Sequence, residues 1–121
     1  MLRVHARKLG TVAILCLQGR VVQGETATLR NAVHSQSEAS AVVLDLARVS
    51  TIDAGGLGLM LELREQTQSK GIAFRLINVT RLVRRILEIT RLDSVFEITS
   101  GAEVLSASSF GQLASTGQLA S

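Results

Sequence analysis

The chain has 121 residues, enough for one domain and too few for two comfortable cores. Apolar residues at 46% against charged residues at 19% rule out a disordered chain, and no apolar run nears the ~18 residues of a membrane-spanning helix, which argues against direct membrane insertion. Thirteen Lys and Arg against ten Asp and Glu leave +3, and twelve of the basic residues are spread from Arg3 to Arg85. With no Trp, no Tyr and three Phe there is no base-stacking platform, so a nucleic-acid partner is not expected.

Residues 2–8 are short and mixed, and Val12 to Leu17 are apolar and rich in β-branched residues. Both read as strands, with a turn at Gly10 between them and a stop at Gly19. Arg3, Arg7 and Lys8 ahead of an apolar run imitate a leader peptide. The run is short, however, and Gln18-Gly19-Arg20 lacks a small-residue cleavage pattern, so a strand is the better reading. From Glu25 to Gln36, Leu29, Ala32 and Val33 share one helical face. Ala41 to Leu46 is a continuous apolar run of strand length, as in a strand covered on both sides. A connection, Ala47 to Thr51, leads to Asp53, which can cap a helix running to about Lys70 with Gly71 as its stop. The first half of that helix is apolar nearly all round, and the second half is polar.

Ile72 to Val79 reads as another strand. Thr80 can cap a helix from Arg81 to about Thr90, with Val83, Ile86, Leu87 and Thr90 on one face. A short strand at 95–98 and a helical turn at 101–107 complete a body of residues 1–107. Residues 108–121 read as a flexible Ser/Gly/Ala-rich tail that contains GQLAS twice, at 111–115 and 117–121. The order β-β-α-β-α-β-α-β-α predicts an α/β domain: a mixed sheet of about five strands, parallel in its centre, with about four helices packed against it.

Chemistry is sparse. One Cys and two His, at 5 and 34, do not make a metal site, and no cofactor motif is present beyond the bare opening of a dinucleotide fingerprint at Gly56 and Gly58. Cys16 reads as a small core hydrophobe; being single, it forms no internal disulfide, which fits a reducing cytoplasm. Glu62 and Glu65 read as solvated helix charges. Nothing assembles a nucleophile, a base and an orienting partner, so an enzyme is not expected.

The informative stretch is 42–61, VVLDLARVSTIDAGGLGLML. A strand ends and Asp53 leads into a helix whose first turn is nearly free of side chains: Ala54, Gly55, Gly56, Gly58. Free N–H groups at such a terminus favour an anionic group or a close protein partner. Equally, glycine there permits close packing on the sheet, at a cost of about 1 kcal/mol each relative to Ala.

This stretch resembles the motif of STAS domains, found in anti-sigma factor antagonists and in sulfate transporter tails. The likeness extends over residues 4–107, through Gly19, Leu29-Arg30 and Asn78-Val79. It implies a small αβ sandwich that binds a serine-kinase anti-sigma factor in a partner switch. In the family, phosphorylation of the serine after the motif aspartate turns that binding off. Here that position is Ala54, followed by Gly55, so the resemblance implies a partner-binding protein without this off-switch. Val22 stands where the family's regulators commonly carry an acid, and Ser50 and Thr51 are the nearest hydroxyls. Arg81, Arg84 and Arg85 recur with Glu88 at i, i+3, i+4, i+7 as one exposed stripe, either a solvated face or a complement to an acidic partner.

The expected partner surface is therefore Asp53, Ala54, Gly55, Gly56, Leu57 and Gly58 with Arg81, Arg84 and Arg85, on a monomer or weak homodimer. A scaffold subunit of a transporter assembly is the alternative, and a nucleotide binder using the bare helix start ranks third.

Overall fold

The computed structural model describes residues 1–100. Strands β1 (Arg3–Leu9) and β2 (Val12–Val21) form an antiparallel hairpin. Then α1 (Ala27–His34), β3 (Ala41–Ile52), α2 (Ala54–Ser69), β4 (Ala73–Ile77), α3 (Arg81–Ile89) and β5 (Glu97–Ile98) follow as successive crossovers. The sheet runs β1-β2-β3-β4-β5, antiparallel at β1–β2 and parallel elsewhere. A right-handed crossover always steps the same way, so strands added in sequence order put every intervening helix on one face. The side chains agree. Leu29 and Val33 of α1, Leu57, Met60 and Leu63 of α2, and Val83 and Leu87 of α3 share one core with Leu15, Leu17, Leu44, Leu46 and Leu76 of the sheet. Residues of opposite pleat, Ile14, Val43 and Ile77, form a smaller cluster on the other face, with Cys16 packed against it. Cys16 therefore lies outside the main core that its apolar neighbours suggested.

Two strands are longer than their hydrophobic runs. Gly19 does not end β2; it sits inside it at φ +116°, paired with Val49, where a Cβ would lie 2.8 Å from the Met1 carbonyl oxygen. The supposed connection Ala47 to Thr51 is the outer half of β3. Its strand character is hidden by two bulges. Cys16 pairs with Asp45 but Gln18 with Arg48, and Gly19 pairs with Val49 but Arg20 with Thr51. The inward side chains Leu46, Val49 and Ile52 thus fall three apart rather than two, and alternation disappears from the sequence.

Elsewhere the local signals hold. Asp53 caps α2, Thr80 caps α3 through a bond from the Val83 N–H (3.3 Å), and Gly71 follows α2 at φ +75°. Helix α1 is shorter than the Glu25–Gln36 expectation, and Thr26 caps it without a side-chain bond. Thr90 is exposed instead of facing the core, its hydroxyl donating back to the Ile86 carbonyl at 2.8 Å. The described residues contain three helices; the helical turn expected at 101–107 and the tail at 108–121 lie outside them. None of the three is long and apolar enough to cross a membrane.

Candidate functional site

The α2 start is built from both sides. Asp53 is extended (φ −101°, ψ −177°), and its Oδ1 accepts from the Gly56 N–H at 2.8 Å while both carboxylate oxygens accept from the Gln23 N–H at 3.1 Å. Its carbonyl takes the Leu57 N–H (2.9 Å), and its own N–H donates to the Val21 carbonyl (3.3 Å). One side chain therefore caps the helix and clips the 22–26 loop over it. The Gly56 N–H, then the Gln23 N–H, hold the Asp53 carboxyl below the usual carboxylate range. A depressed folded-state pKa means the clip stabilises the fold above the ordinary carboxylate range and loses that effect as pH falls through the lowered value. Amide exchange at Gln23 and Gly56 is thus expected to lose protection on acidification; in Asp53→Asn that protection should already be reduced at neutral pH.

The glycines of the tip divide by purpose. A Cβ on Gly56 would collide with the Val21 carbonyl oxygen, and one on Gly55 would lie 2.6 Å from Gln23 Cβ. Both are packing glycines, and the helix start is covered by the β2–α1 loop rather than bare. The expectation of freely accessible N–H groups fails at Gly56, whose N–H belongs to Asp53. Gly56 and Leu57 are buried, so neither presents a side chain outward. Asp53, Ala54 and Gly58 are exposed, and no atom of the described residues lies within 4 Å of where a Gly58 Cβ would be.

Arg81, Arg84 and Arg85 are exposed on α3 as expected, and among the described residues their side chains make no hydrogen bond or ion pair. Sequence reasoning missed what lies beside them: Leu82 and Ile89, 52% and 72% exposed. The signal was a second apolar ridge, 82–86–89, next to the core ridge 83–87. The solvated-carboxylate reading holds for Glu65, while Glu62 forms an exposed ion pair with Arg30 (3.2 Å) that ties α1 to α2. His34 bonds Gln66 at 2.8 Å, and His5 is exposed on β1. Burial, then the Asp45 charge, pushes the Cys16 thiol up, so its alkylation at mildly alkaline pH should run slower than that of a free cysteine.

A mixed sheet with its described helices on one face and a clipped helix start at the end of β3 defines a small α/β domain whose exposed features are a helix tip and a charged helix face. The chain belongs to the STAS domain family, whose model matches residues 3–106. Its fold is similar to that of an anti-sigma factor antagonist from Mycobacterium paratuberculosis (21% identity, 88% of this chain and 93% of that one, TM-score 0.74). It is also similar to the anti-sigma factor antagonist SpoIIAA of Bacillus in its unphosphorylated form (15%, 87% and 95%, 0.72). A sulfate transporter family protein from Wolinella succinogenes has the same fold (19%, 84% and 87%, 0.72).

Proposed function

We propose that the chain is a non-enzymatic, cytoplasmic regulator of the anti-sigma factor antagonist kind, which docks the exposed side of its α2 start, Asp53, Ala54 and Gly58, on an anti-sigma factor of the serine-kinase type. Gly58 carries this reading. A glycine inside a helix costs about 1 kcal/mol, and Gly55 and Gly56 have neighbours that demand it. Gly58 has none among the described residues, and the close approach it permits supports docking by another polypeptide. Gly55, Gly56 and Leu57 act behind that surface by fixing the tip's position.

Ala54 offers no hydroxyl beside the tip, so docking is not turned off by phosphorylation there. Ser50 is an exposed strand residue whose hydroxyl donates to the Gly19 carbonyl at 3.3 Å, and Thr51 is partly buried in β3. Calorimetric titration with the kinase anti-sigma factor of the same cell, followed by incubation with ATP and intact-mass measurement, tests both parts. Binding without a phosphate adduct is the expected result; no binding, or a stoichiometric adduct that abolishes it, overturns the reading.

The Arg stripe supports an acidic partner. Reversing Arg81, Arg84 and Arg85 to Glu is expected to slow association about tenfold or more at low salt, with a smaller effect at high salt. The alternative, a scaffold subunit of a transporter assembly, draws on the same fold in the sulfate transporter family protein; isolation of the chain in a stable complex with a permease would favour it.

A further inference from the structure

We infer a second binding site, for a small organic anion with an apolar body, on the sheet face opposite the helices. A cavity of about 320 Å³ opens there between β1, β2 and β3, at the small end of the range for ligand pockets. The first bulge of β3 makes it. Between the pairs Cys16–Asp45 and Gln18–Arg48, two residues of β3 oppose one of β2, and the Ala47 N–H turns onto Asp45 Oδ1 at 3.0 Å instead of continuing the ladder. His5, Cys16 and Asp45 stand in one row across the three strands.

The polar groups around this space are unequal. Asp45 is already engaged: Oδ1 accepts from Ala47 and from Asn78 Nδ2 (3.1 Å), and Oδ2 faces the Cys16 thiol at 3.9 Å. Asn78 is held for this contact by its left-handed backbone, φ 53°, at the end of β4. His5, Gln18 and Arg48 line the same cavity, and among the described residues no hydrogen bond or ion pair engages their side chains. Arg48 therefore brings unengaged N–H donors and a positive charge, and Gln18 an amide that donates as well as accepts. At the Cys16 position the Asp45 charge acts most strongly, and Arg7 and Arg48 oppose it. Cys16 and Ala47 supply apolar surface. Since the thiol stays protonated, it forms a neutral wall and takes no covalent part. An anionic head on Arg48 with an apolar body against Cys16 and Ala47 satisfies both halves.

Benzoate is a suitable probe, with benzamide as its neutral counterpart of the same shape. Titrated into the full chain and followed by backbone amide chemical shifts, benzoate is expected to give saturable changes at residues 16–18 and 45–48 in the millimolar range. Benzamide should bind about fivefold or more weakly, and Arg48→Gln should bring benzoate down to the benzamide level. Arg48 and His5 are exposed, so both Arg48→Gln and His5→Ala retain the fold, and each should weaken benzoate. Gly58→Ala should leave this titration unchanged, which separates the cavity from the helix tip. Absence of saturation, equal binding of benzamide, or undiminished binding in Arg48→Gln overturns the inference.

Discussion

Gly56→Ala is expected to destabilise the domain by about 3 kcal/mol, at the upper end of the overpacking range and a large part of a stability of roughly 5–15 kcal/mol. The added methyl would occupy the place of the Val21 carbonyl oxygen and crowd Val21 Cγ1 at 3.1 Å. Nothing there gives way cheaply. Val21 is the last residue of β2, paired with Ile52, and its carbonyl also receives the Asp53 N–H. Relief would require moving the strand end or the helix start, each of which carries buried apolar residues. Gly55→Ala should cost less, because the obstacle, Gln23 Cβ with its Cα at 3.2 Å, lies on an exposed loop that can shift where a paired strand end cannot. Denaturant unfolding of the two variants measures the difference. A Gly56→Ala protein as stable as the parent would show that the β2 end does not lie against the α2 start.

Gly58→Ala carries the opposite sign. The site is exposed and helical, with none of the described residues near the missing Cβ, so the fold should gain about 1 kcal/mol from helix propensity alone. Partner affinity should fall in the same variant, because the methyl separates two surfaces that the glycine lets approach. Ala54→Glu extends the test. A carboxylate in the first turn of α2 favours the helix by about 0.3–1 kcal/mol, yet it places charge and bulk where docking is proposed. Paired measurements of unfolding and of partner titration are decisive. More stable and poorly binding variants are the expected pair; variants that are more stable and bind normally remove Gly58 and Ala54 from the interface.

Much of the fold was legible because its signals are local. The AVVLDL run, the Asp53 and Thr80 caps, and the Gly71 stop each act within a few residues and appear in the structure where the sequence placed them. The outer half of β3 was not legible. Alternation is the mark of a half-buried strand, and two bulges turned Leu46, Val49 and Ile52 into a period of three. Cys16 was misplaced for a related reason: an apolar run shows that a strand is buried, while the pleat alone says which residues face which side.

At the helix tip the division is sharper. Capping, side-chain chemistry and helical period are local properties, so the residues alone establish that Asp53 caps a glycine-rich helix start, that position 54 lacks a hydroxyl, and that Arg81, Arg84 and Arg85 share one face. It took the folded chain to reveal that Gly55 and Gly56 make room for Gln23 and Val21 while Gly58 makes room for none of the described residues. The fold alone left Leu82 and Ile89 uncovered beside the arginines. The physical reason is that steric demand at a glycine, and cover over an apolar ridge, are set by backbone some thirty residues away, brought there by the β2–α1–β3 crossover.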